Sequence, residues 1–522
     1  MLFAAVAVGI ALVRFRVSPW YPPLNDVNSD VYVYLGVGHA WAEGLLPYRD
    51  VYDIKGPFLY LLFGLFATLG PWSMWPPLGF LAALAFASLW LAYALARLHL
   101  LSRPLAALAA VLSCAVIYLS VSGVPTSFTC EELAVPGVLL LLWLVLRRLG
   151  GRDDIAAAWW VLDGVVLGAL FWSKYQVIAP WAAMLVALAV VVVRGGLSAR
   201  SLGRLVVLHL AGFVIATVAI LPWYLTVLPD LLRAYFLAKI SGIAAGDELG
   251  AQGGIGVGDE LGAQAEFIGA LVLHNTPVVV ALLAVLALFI LRAARGGSRE
   301  GLVLTIAFCL SLWASVSLVR HSNHVFVPLS FCAVALPQVL SALRARGRAL
   351  GDAATVAVAA LLAAACVAPF AQGMRAYGLL QDPRPVTCYQ LPSKARSTEH
   401  APVSTVFART AGSRPILSVG TLFAARSSFV SQLVMRHRFQ FVDSSWSASI
   451  GADRVQARYL QDRTFDYVWI HISGVDRFRD LEGQIARAIY TDGPSQPEQA
   501  AALASNYVPV LACNNEILLR VR

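Results

Sequence analysis

The sequence predicts a polytopic α-helical membrane protein with a small α/β domain at its carboxyl end, and three observations support this. The chain of 522 residues is 59% hydrophobic and 13% charged, with a mean hydropathy of +0.71, a composition foreign to soluble globular proteins of this size. Its apolar segments are long and continuous, which indicates membrane helices rather than the alternating strands of a barrel. After residue 371 the chain becomes polar and contains no further apolar run of that length.

The apolar runs predict eleven membrane spans. We place them at about 1–15, 76–98, 104–122, 132–147, 156–172, 177–194, 205–227, 266–292, 300–319, 325–343 and 351–371. The linkers after the even-numbered spans are basic; they contain Arg97 and Arg103; Arg147, Arg148 and Arg152; Arg194, Arg200 and Arg204; Arg292, Arg295 and Arg299; and Arg344, Arg346 and Arg348. Because positively charged linkers stay in the cytoplasm, the amino end is predicted inside and residues 372–522 outside.

The first outer loop, residues 16–75, is long and rich in aromatic residues. It contains an apolar run at 58–70 that is too short to cross a bilayer, so we predict that this run lies at the membrane surface, as does a second helix over about 31–43. One feature disagrees with this topology, since Arg14 and Arg16 follow the first span on the predicted outer side. Either the chain starts upstream, or that helix is tilted and these side chains snorkel.

The polar carboxyl-terminal part predicts a small α/β domain. Strands are expected at 415–420, 438–444 and 465–472, and a final hairpin is expected to turn at Asn514 and Asn515. Cys388 and Cys513 lie in this part, in a compartment that permits disulfides, although Cys130 is also predicted outside and sequence alone does not pair them. Neither a dinucleotide glycine fingerprint nor a P-loop occurs in the chain.

The first outer loop carries charges that suit chemistry at a membrane surface. Asp30 precedes the first surface helix, and Arg49 and Lys55 follow that helix. A carboxylate can act as a general base on a hydroxyl, and cations can stabilise a phosphate leaving group. Together with a hydrophobic slot at the bilayer edge, these groups indicate a transferase that uses a lipid-linked phosphate donor.

Other outer segments add candidate substrate contacts. The full set of predicted binding residues is Tyr48, Arg49, Asp53, Lys55, Glu131, Glu132, Lys174, Arg320 and His324. Several of them have a plainer alternative: Glu131 and Glu132, like Asp30, can cap helices, Asp53 can be a turn residue, and Lys55 and Lys174 can snorkel. His321 and His324 share one helix face and could bind a divalent metal, but no acidic cluster accompanies them, so we predict no cofactor.

Several stretches resemble one family. DVYVYL from Asp30, GLLPYRD from Gly44 and DIKGP from Asp53 resemble the first extracytoplasmic loop of GT-C fold glycosyltransferases, the superfamily of protein O-mannosyltransferases and lipid A aminoarabinose transferases. GALFWSKYQ, which contains Lys174, and RHSNHVFVPL, which begins at Arg320, are similar to later segments of that family. The resemblance implies that the loop acid lies at the active site and that the Lys-Gly-Pro element opens the second of two juxtamembrane helices.

The chain departs from that family in one respect. Several relatives carry two adjacent acids at the catalytic position, whereas Val31 follows Asp30 here. A second acid could be Asp26, Glu131 or Glu132, or it is not needed.

The resulting prediction is an inverting glycosyltransferase with two parts, a transmembrane domain over 1–371 and an extracytoplasmic domain over 372–522. It would move a sugar from a polyprenyl-phosphate donor to a hydroxyl of a glycan, lipid or protein at the outer face of the bacterial cytoplasmic membrane, with Asp30 as the base. The alternatives are a transporter or flippase of lipid-linked sugars, which requires polar residues at mid-bilayer depth, and a non-catalytic membrane scaffold. Nucleic acid is not expected as a partner despite the net charge of +9, because most arginines lie in the linkers that set orientation.

Overall fold

A computed structural model of the chain describes most of the helical part and much of the polar part. The described residues are 1–14, 30–42, 44–49, 55–69, 75–99, 101–119, 129–151, 155–232, 235–236, 276–294, 298–317, 325–346, 386–391, 393, 395–399, 403–412, 414, 416–419, 452–471, 496–513 and 516–522. The predicted span at 351–371 and the predicted strand at 438–444 lie outside them.

In the described residues, the first half of the chain forms nine longer α-helices and one short one. The longer helices are α1 (Leu2–Arg14), α2 (Asp30–Ala42), α3 (Pro57–Leu69), α4 (Trp75–Leu98), α5 (Arg103–Leu119), α6 (Cys130–Leu149), α7 (Ala157–Phe171), α8 (Ala179–Val193) and α9 (Ala199–Ile220). A 3₁₀ turn, Tyr175–Ile178, leads into α8, and a second, Leu221–Val227, extends α9 into α10 (Leu228–Leu232). The ends of most of these longer helices lie within two or three residues of the predicted ends, close to the usual uncertainty of helix ends. Helix α9 differs more, because it begins six residues before the predicted span at 205–227 and a 3₁₀ turn follows it.

Four further helices follow: α11 (Thr276–Ala294), α12 (Arg299–Ser317), α13 (Phe326–Leu329) and α14 (Cys332–Arg346). Four helical stretches of the described chain are long and apolar enough to cross a membrane, namely Trp75–Leu98, Tyr175–Val193, Ala199–Leu232 and Phe326–Ala345. Several other helices are apolar but shorter. The count of eleven spans and the orientation remain predictions.

Helices α2 and α3 occupy the two positions predicted for surface helices and pack against each other. The ring centroids of Tyr34 and Phe63 are 5.3 Å apart in an edge-to-face arrangement. A Cβ at Gly38 would lie 2.8 Å from the Phe63 Cβ and closer still to the backbone of Gly64, so the lack of a side chain at Gly38 permits this contact. The polypeptide between them therefore folds back, as the proline and glycine residues at 44, 47, 56 and 57 suggest.

Helices α7 and α9 approach closely around a buried polar cluster. The backbone of Gly164 in α7 lies against the His209 backbone in α9, the small-residue packing common between membrane helices. Beside it, the Asp163 carboxylate accepts a hydrogen bond from Trp181 Nε1 at 2.9 Å and lies 2.8 Å from His209 Nε2. Because His209 Nδ1 contacts the Leu205 carbonyl at 2.8 Å, that nitrogen carries a proton, and one more proton is shared between His209 and Asp163. The cluster therefore joins α7, α8 and α9.

The polar part contains a six-stranded sheet. Its strands are β1 (Val386–Gln390), β2 (Ala395–Glu399), β3 (Ile416–Val419), β4 (Tyr467–His471), β5 (Tyr507–Cys513) and β6 (Glu516–Val521), and its described helices are α15 (Val403–Ala411), α16 (Ala452–Gln461) and α17 (Gln496–Asn506). The strand order is β2-β1-β5-β6-β4-β3, and β3 and β4 pair in parallel while the other neighbours are antiparallel. This is a small α/β arrangement. That residues 372–522 form a separate extracytoplasmic domain remains a prediction.

Two features of this sheet test the sequence analysis. The final hairpin is confirmed, since β5 and β6 pair with Cys513 opposite Glu516. The β1–β2 hairpin was not predicted, because β2 is polar and lacks the apolar alternation that identifies a strand. β1 also places Cys388 opposite Cys513, and the two cysteines form a disulfide. This pairing confirms the bridge that the sequence left open.

Candidate functional site

The Lys-Gly-Pro element is attached to the turn that follows α7. The Gly56 N–H donates to the Ser173 carbonyl at 2.8 Å, and the Phe58 N–H donates to the Trp172 carbonyl at 3.0 Å. A Cβ added at Gly56 would collide with the Trp172 carbonyl, so glycine is required for this close approach. The contact brings Lys55 and Lys174, which are far apart in the sequence, to neighbouring positions on two paired backbone segments.

Aromatic side chains hold the same element from the other side. The Tyr48 hydroxyl donates to the Lys55 carbonyl at 2.7 Å, and the Lys55 N–H donates to the Tyr60 hydroxyl at 3.1 Å. The Tyr224 hydroxyl donates to the Pro57 carbonyl at 2.7 Å. Tyr48 is fully buried and has a φ of 71°, a conformation that a non-glycine residue keeps only when its surroundings hold it. Tyr48 therefore positions Lys55 through backbone contacts.

A buried ion pair lies where α6 begins. Lys174 Nζ is 2.7 Å from Glu131 Oε1, and both side chains are almost inaccessible to solvent. The backbone N–H of Lys174 donates to the Leu170 carbonyl at 2.9 Å, so the end of α7 fixes where this side chain starts. Lys174 does not snorkel. It lies inside the protein, where Glu131 compensates its charge.

A second buried ion pair lies beside the first. Arg14 Nε is 2.6 Å from Glu132 Oε1, and the Arg14 guanidinium lies 4.9 Å from the centroid of the Phe326 ring. The other oxygen of Glu132 accepts the Thr129 N–H at 2.8 Å, which is half of a capping arrangement. The suggestion that Arg14 snorkels is wrong, because only 2% of this residue is exposed. Its charge is balanced by Glu132, which explains an arginine at the predicted outer end of the first span.

Cys130, the residue before these carboxylates, connects α6 to α2. Its Sγ lies 3.7 Å from the Tyr34 hydroxyl, one helical turn after Asp30. Cys130 precedes the predicted span at 132–147, and burial raises the pKa of its thiol to about 11, although the positive charge of Lys55 acts in the opposite direction. Lys55 therefore lies within electrostatic range of Cys130, near the start of α6. Helix α2, the Lys55 segment and the Glu131–Lys174 pair thus meet around one point.

A long apolar groove begins near this point. It has a volume of about 750 Å³ and runs between α4, α6 and α7. Phe58, Leu133 and Leu170 line its upper end, and they follow or precede Lys55, Glu131 and Lys174 by a few residues. Trp90, Trp143 and Trp159 line the other end. Trp90 and Trp159 are about half exposed, so the groove opens to the surface that a bilayer would cover. None of its lining residues is charged.

The predicted site residues divide into three groups. Lys55, Tyr48, Glu131, Glu132 and Lys174 are described and lie near one another, as set out above. Asp30 is the first residue of α2, and Arg49 is exposed just after the Tyr48 turn. Asp53, Arg320 and His324, together with the alternative acid Asp26, lie outside the described residues. Within the described ranges, no three His, Cys, Asp or Glu side chains gather into a metal-binding group.

Sequence reasoning missed several residues of this region. Arg14 was treated as a problem of topology, although a buried partner explains it. Tyr34, Tyr60 and Tyr224 were not singled out, because aromatic residues near a membrane usually serve as interface anchors. The adjacent acids Glu131 and Glu132 could have indicated the role of Arg14. A helix cap requires only one acid, so a pair of acids beside an apolar span predicts two cationic partners.

The fold is similar to solved structures over nearly the whole chain. ArnT from Cupriavidus metallidurans bound to undecaprenyl phosphate matches with a TM-score of 0.58 and 13% identity, covering 99% of this chain and 97% of that chain. The same protein in the apo state gives a TM-score of 0.55 at 14% identity, with 99% and 97% covered. The Archaeoglobus fulgidus oligosaccharyltransferase in complex with zinc and sulfate gives 0.51 at 14% identity, with 98% and 73% covered.

No family model matches the sequence, and no curated protein matches it. At such low identity the similarity to solved structures concerns the fold. These structures share the GT-C fold. That is the fold of the family that the segments at Asp30, Gly44 and Asp53 resemble. The chain therefore has the GT-C fold of membrane glycosyltransferases.

Proposed function

We propose that this protein is an inverting glycosyltransferase that takes a sugar from a polyprenyl-phosphate carrier and transfers it to an acceptor hydroxyl at the outer face of the membrane. The observation that carries the proposal is the apolar groove whose upper end adjoins Lys55 and the Glu131–Lys174 pair. A polyprenyl phosphate has a long apolar chain and an anionic head. The groove suits the chain, and the cationic residues at its end suit the phosphate. The structural neighbour ArnT, which was solved with undecaprenyl phosphate, supports this donor class.

The proposed step forms one bond and breaks one. The acceptor oxygen attacks the anomeric carbon from the face opposite the phosphate, and Asp30 removes the hydroxyl proton. The bond between the anomeric carbon and the phosphate oxygen breaks, so that the polyprenyl phosphate leaves with an added negative charge. Lys55 stabilises that charge, with Arg320 as the predicted second cation. Lys174 would contribute only if it separated from Glu131, to which it is bound at 2.7 Å. No metal is assigned to this step, and transfer is expected to persist when a chelator is added.

The main rival is a transporter of lipid-linked sugars. Such a protein requires polar groups along a path through the bilayer, and Asp163 is the obvious candidate for one. Its carboxylate is bound by Trp181 and His209 between α7, α8 and α9, and it does not line the groove. An uncharged groove suits a bound apolar chain better than a moving sugar head, which favours the transferase.

The residues of the loop test the chemistry. Asp30→Asn keeps the size of the side chain but removes the base, so donor binding should persist while turnover falls about 100-fold or more. Lys55→Ala should weaken both binding and turnover, because the phosphate is charged in the ground state and gains charge as the bond breaks. Donor binding and sugar transfer are measured separately in membranes of defined composition. Transfer at the wild-type rate by Asp30→Asn would leave this residue as a helix cap and favour a scaffold.

The groove provides an independent test. Ala87 lines it, and Ala87→Trp should fill it and weaken binding of a long-chain donor about tenfold, the loss expected for about two methylenes kept from burial. A donor with a short lipid chain should be much less affected. Ala211 is exposed on α9 and does not line the groove, so Ala211→Trp is the matched control. Equal effects of the two variants would place the lipid chain elsewhere.

A further inference from the structure

The opposite end of the helical bundle contains a cavity that the proposed reaction does not use. It has a volume of about 270 Å³ and lies between the end of α8, the end of α11 and the start of α12. Its polar lining comes from Arg194, Ser298 and Arg299, and its apolar lining includes Val191 and Leu302. Both linkers belong to the basic set that the sequence places in the cytoplasm.

A glycine turn holds one of the two arginines at this cavity. Gly195 has a φ of 70° and reverses the chain directly after α8. The next carbonyl, of Gly196, accepts a hydrogen bond from Arg299 Nη1 at 2.8 Å. A Cβ at Gly196 would lie 2.9 Å from Arg299 Nε and 2.8 Å from Val191 Cγ1, which is too close for an undisturbed side chain. The turn therefore creates the space that the Arg299 side chain occupies.

The cavity carries positive charge that no acid of the described residues neutralises. Among the ion pairs of the described residues, none involves Arg194 or Arg299. The nearest acid in the sequence, Glu300, is instead 3.4 Å from Arg292 and accepts a hydrogen bond from Gln338 at 2.9 Å. Two guanidinium groups with unused donors are suited to bidentate binding of a phosphate. The first turn of α12 adds the positive end of a helix dipole.

We propose that this cavity binds the phosphodiester headgroup of an anionic phospholipid. A lipid rather than a soluble anion is indicated by the mixed lining, because a headgroup offers a phosphate to the arginines and a glycerol backbone with acyl chains to Val191 and Leu302. The position also fits, since Val193 at the end of α8 is 87% exposed and would face acyl chains. Basic pockets between membrane helices on the cytoplasmic side recognise such headgroups. The bound lipid would tie α8 to α12. This inference is independent of the proposed glycosyl transfer.

The test uses the full-length protein and measures retained lipid by native mass spectrometry after purification from nanodiscs. The nanodiscs contain phosphatidylcholine with either phosphatidylglycerol or no anionic lipid. Arg194→Gln combined with Arg299→Gln should reduce phosphatidylglycerol retention about 30-fold, the loss expected for two charges near the membrane surface. Arg200→Gln combined with Arg204→Gln removes the same charge from the first two turns of α9 without touching the cavity lining, and should change retention much less.

A second variant and a soluble ligand complete the test. Gly196→Ala keeps both charges but displaces the Arg299 side chain, so it should also reduce retention. Equal retention by the two double variants would overturn the proposal, as would a wild-type protein that retains no more phosphatidylglycerol than phosphatidylcholine. That second comparison requires no variant and therefore stands if a substitution prevents folding. Displacement of the lipid by millimolar inorganic phosphate would also overturn it, because the site would then take a soluble phosphate.

Discussion

At the end of the bundle where α6 begins, Arg14 and Lys174 are buried against the carboxylates of Glu132 and Glu131. At the opposite end, Arg194 and Arg299 are exposed, and Arg299 is bound by a backbone carbonyl. The first arrangement is costly, because two charges must leave water and are compensated only by good geometry. The exposed arginines lose little hydration free energy on folding, since water and counterions still screen their charges. Buried pairs therefore hold particular side chains in place, whereas exposed arginines remain available to a ligand.

The protonation state of His99 also bears on the charge at one end of the bundle. His99 follows α4 at the end that carries the basic linkers. Burial lowers its pKa to about 4, and the nearby charge of Arg292 acts in the same direction. This histidine is therefore neutral at physiological pH and adds no charge there. The positive character of that end comes from its arginines and does not change near neutral pH.

The largest expected effect concerns a buried pair. Glu132→Ala should lower the free energy of unfolding by about 3–5 kcal/mol, because the Arg14 guanidinium is left buried without its partner. The double variant Arg14→Met with Glu132→Leu should recover much of this loss, since neither charge remains. Unfolding in mixed detergent micelles measures both. A Glu132→Ala protein as stable as the wild type would show that the pair is not held in a dry environment.

A smaller effect is expected where the two backbone segments meet. Gly56→Ala should cost about 2 kcal/mol, because the added Cβ forces apart the segments that Gly56 and Phe58 join by two hydrogen bonds. Sugar transfer should fall as well, since Lys55 and Lys174 move apart. Gly79 is a suitable control, because nothing lies within 4 Å of a Cβ placed there. Comparable losses from Gly79→Ala would mean that the close approach at Gly56 is unimportant.

The smallest effect on stability is expected for the Asp163 cluster, which lies between the two ends of the bundle. Asp163→Asn should lower stability by about 1 kcal/mol, because the amide oxygen can still accept one hydrogen bond within the cluster. Trp181→Phe removes a single donor and should cost a similar amount. Neither change should alter sugar transfer, since Asp163, Trp181 and His209 do not line the groove. Loss of transfer by Asp163→Asn with unchanged unfolding would assign this cluster a part in function and weaken the contrast between the ends.

Sequence patterns located many elements before their contacts were known. The helices α2 and α3, the hairpin β5–β6 and the strands β3 and β4 were predicted from apolar runs, turn residues and alternation. These signals are local, since they depend on residues close together in the chain. The hairpin β1–β2 escaped prediction because its stability comes from pairing with β5 and from the disulfide between Cys388 and Cys513.

By itself, the sequence determined that this chain is helical and apolar, where its charges lie, and which family its first outer loop resembles. Only the tertiary structure decided which charges meet. Arg14 and Glu132 are 118 residues apart, and Lys174 and Glu131 are 43 apart, so no periodic pattern links them. The physical reason is burial, because a charge that is removed from water requires a partner of opposite charge. Which residue becomes that partner depends on how helices that are distant in the sequence pack together.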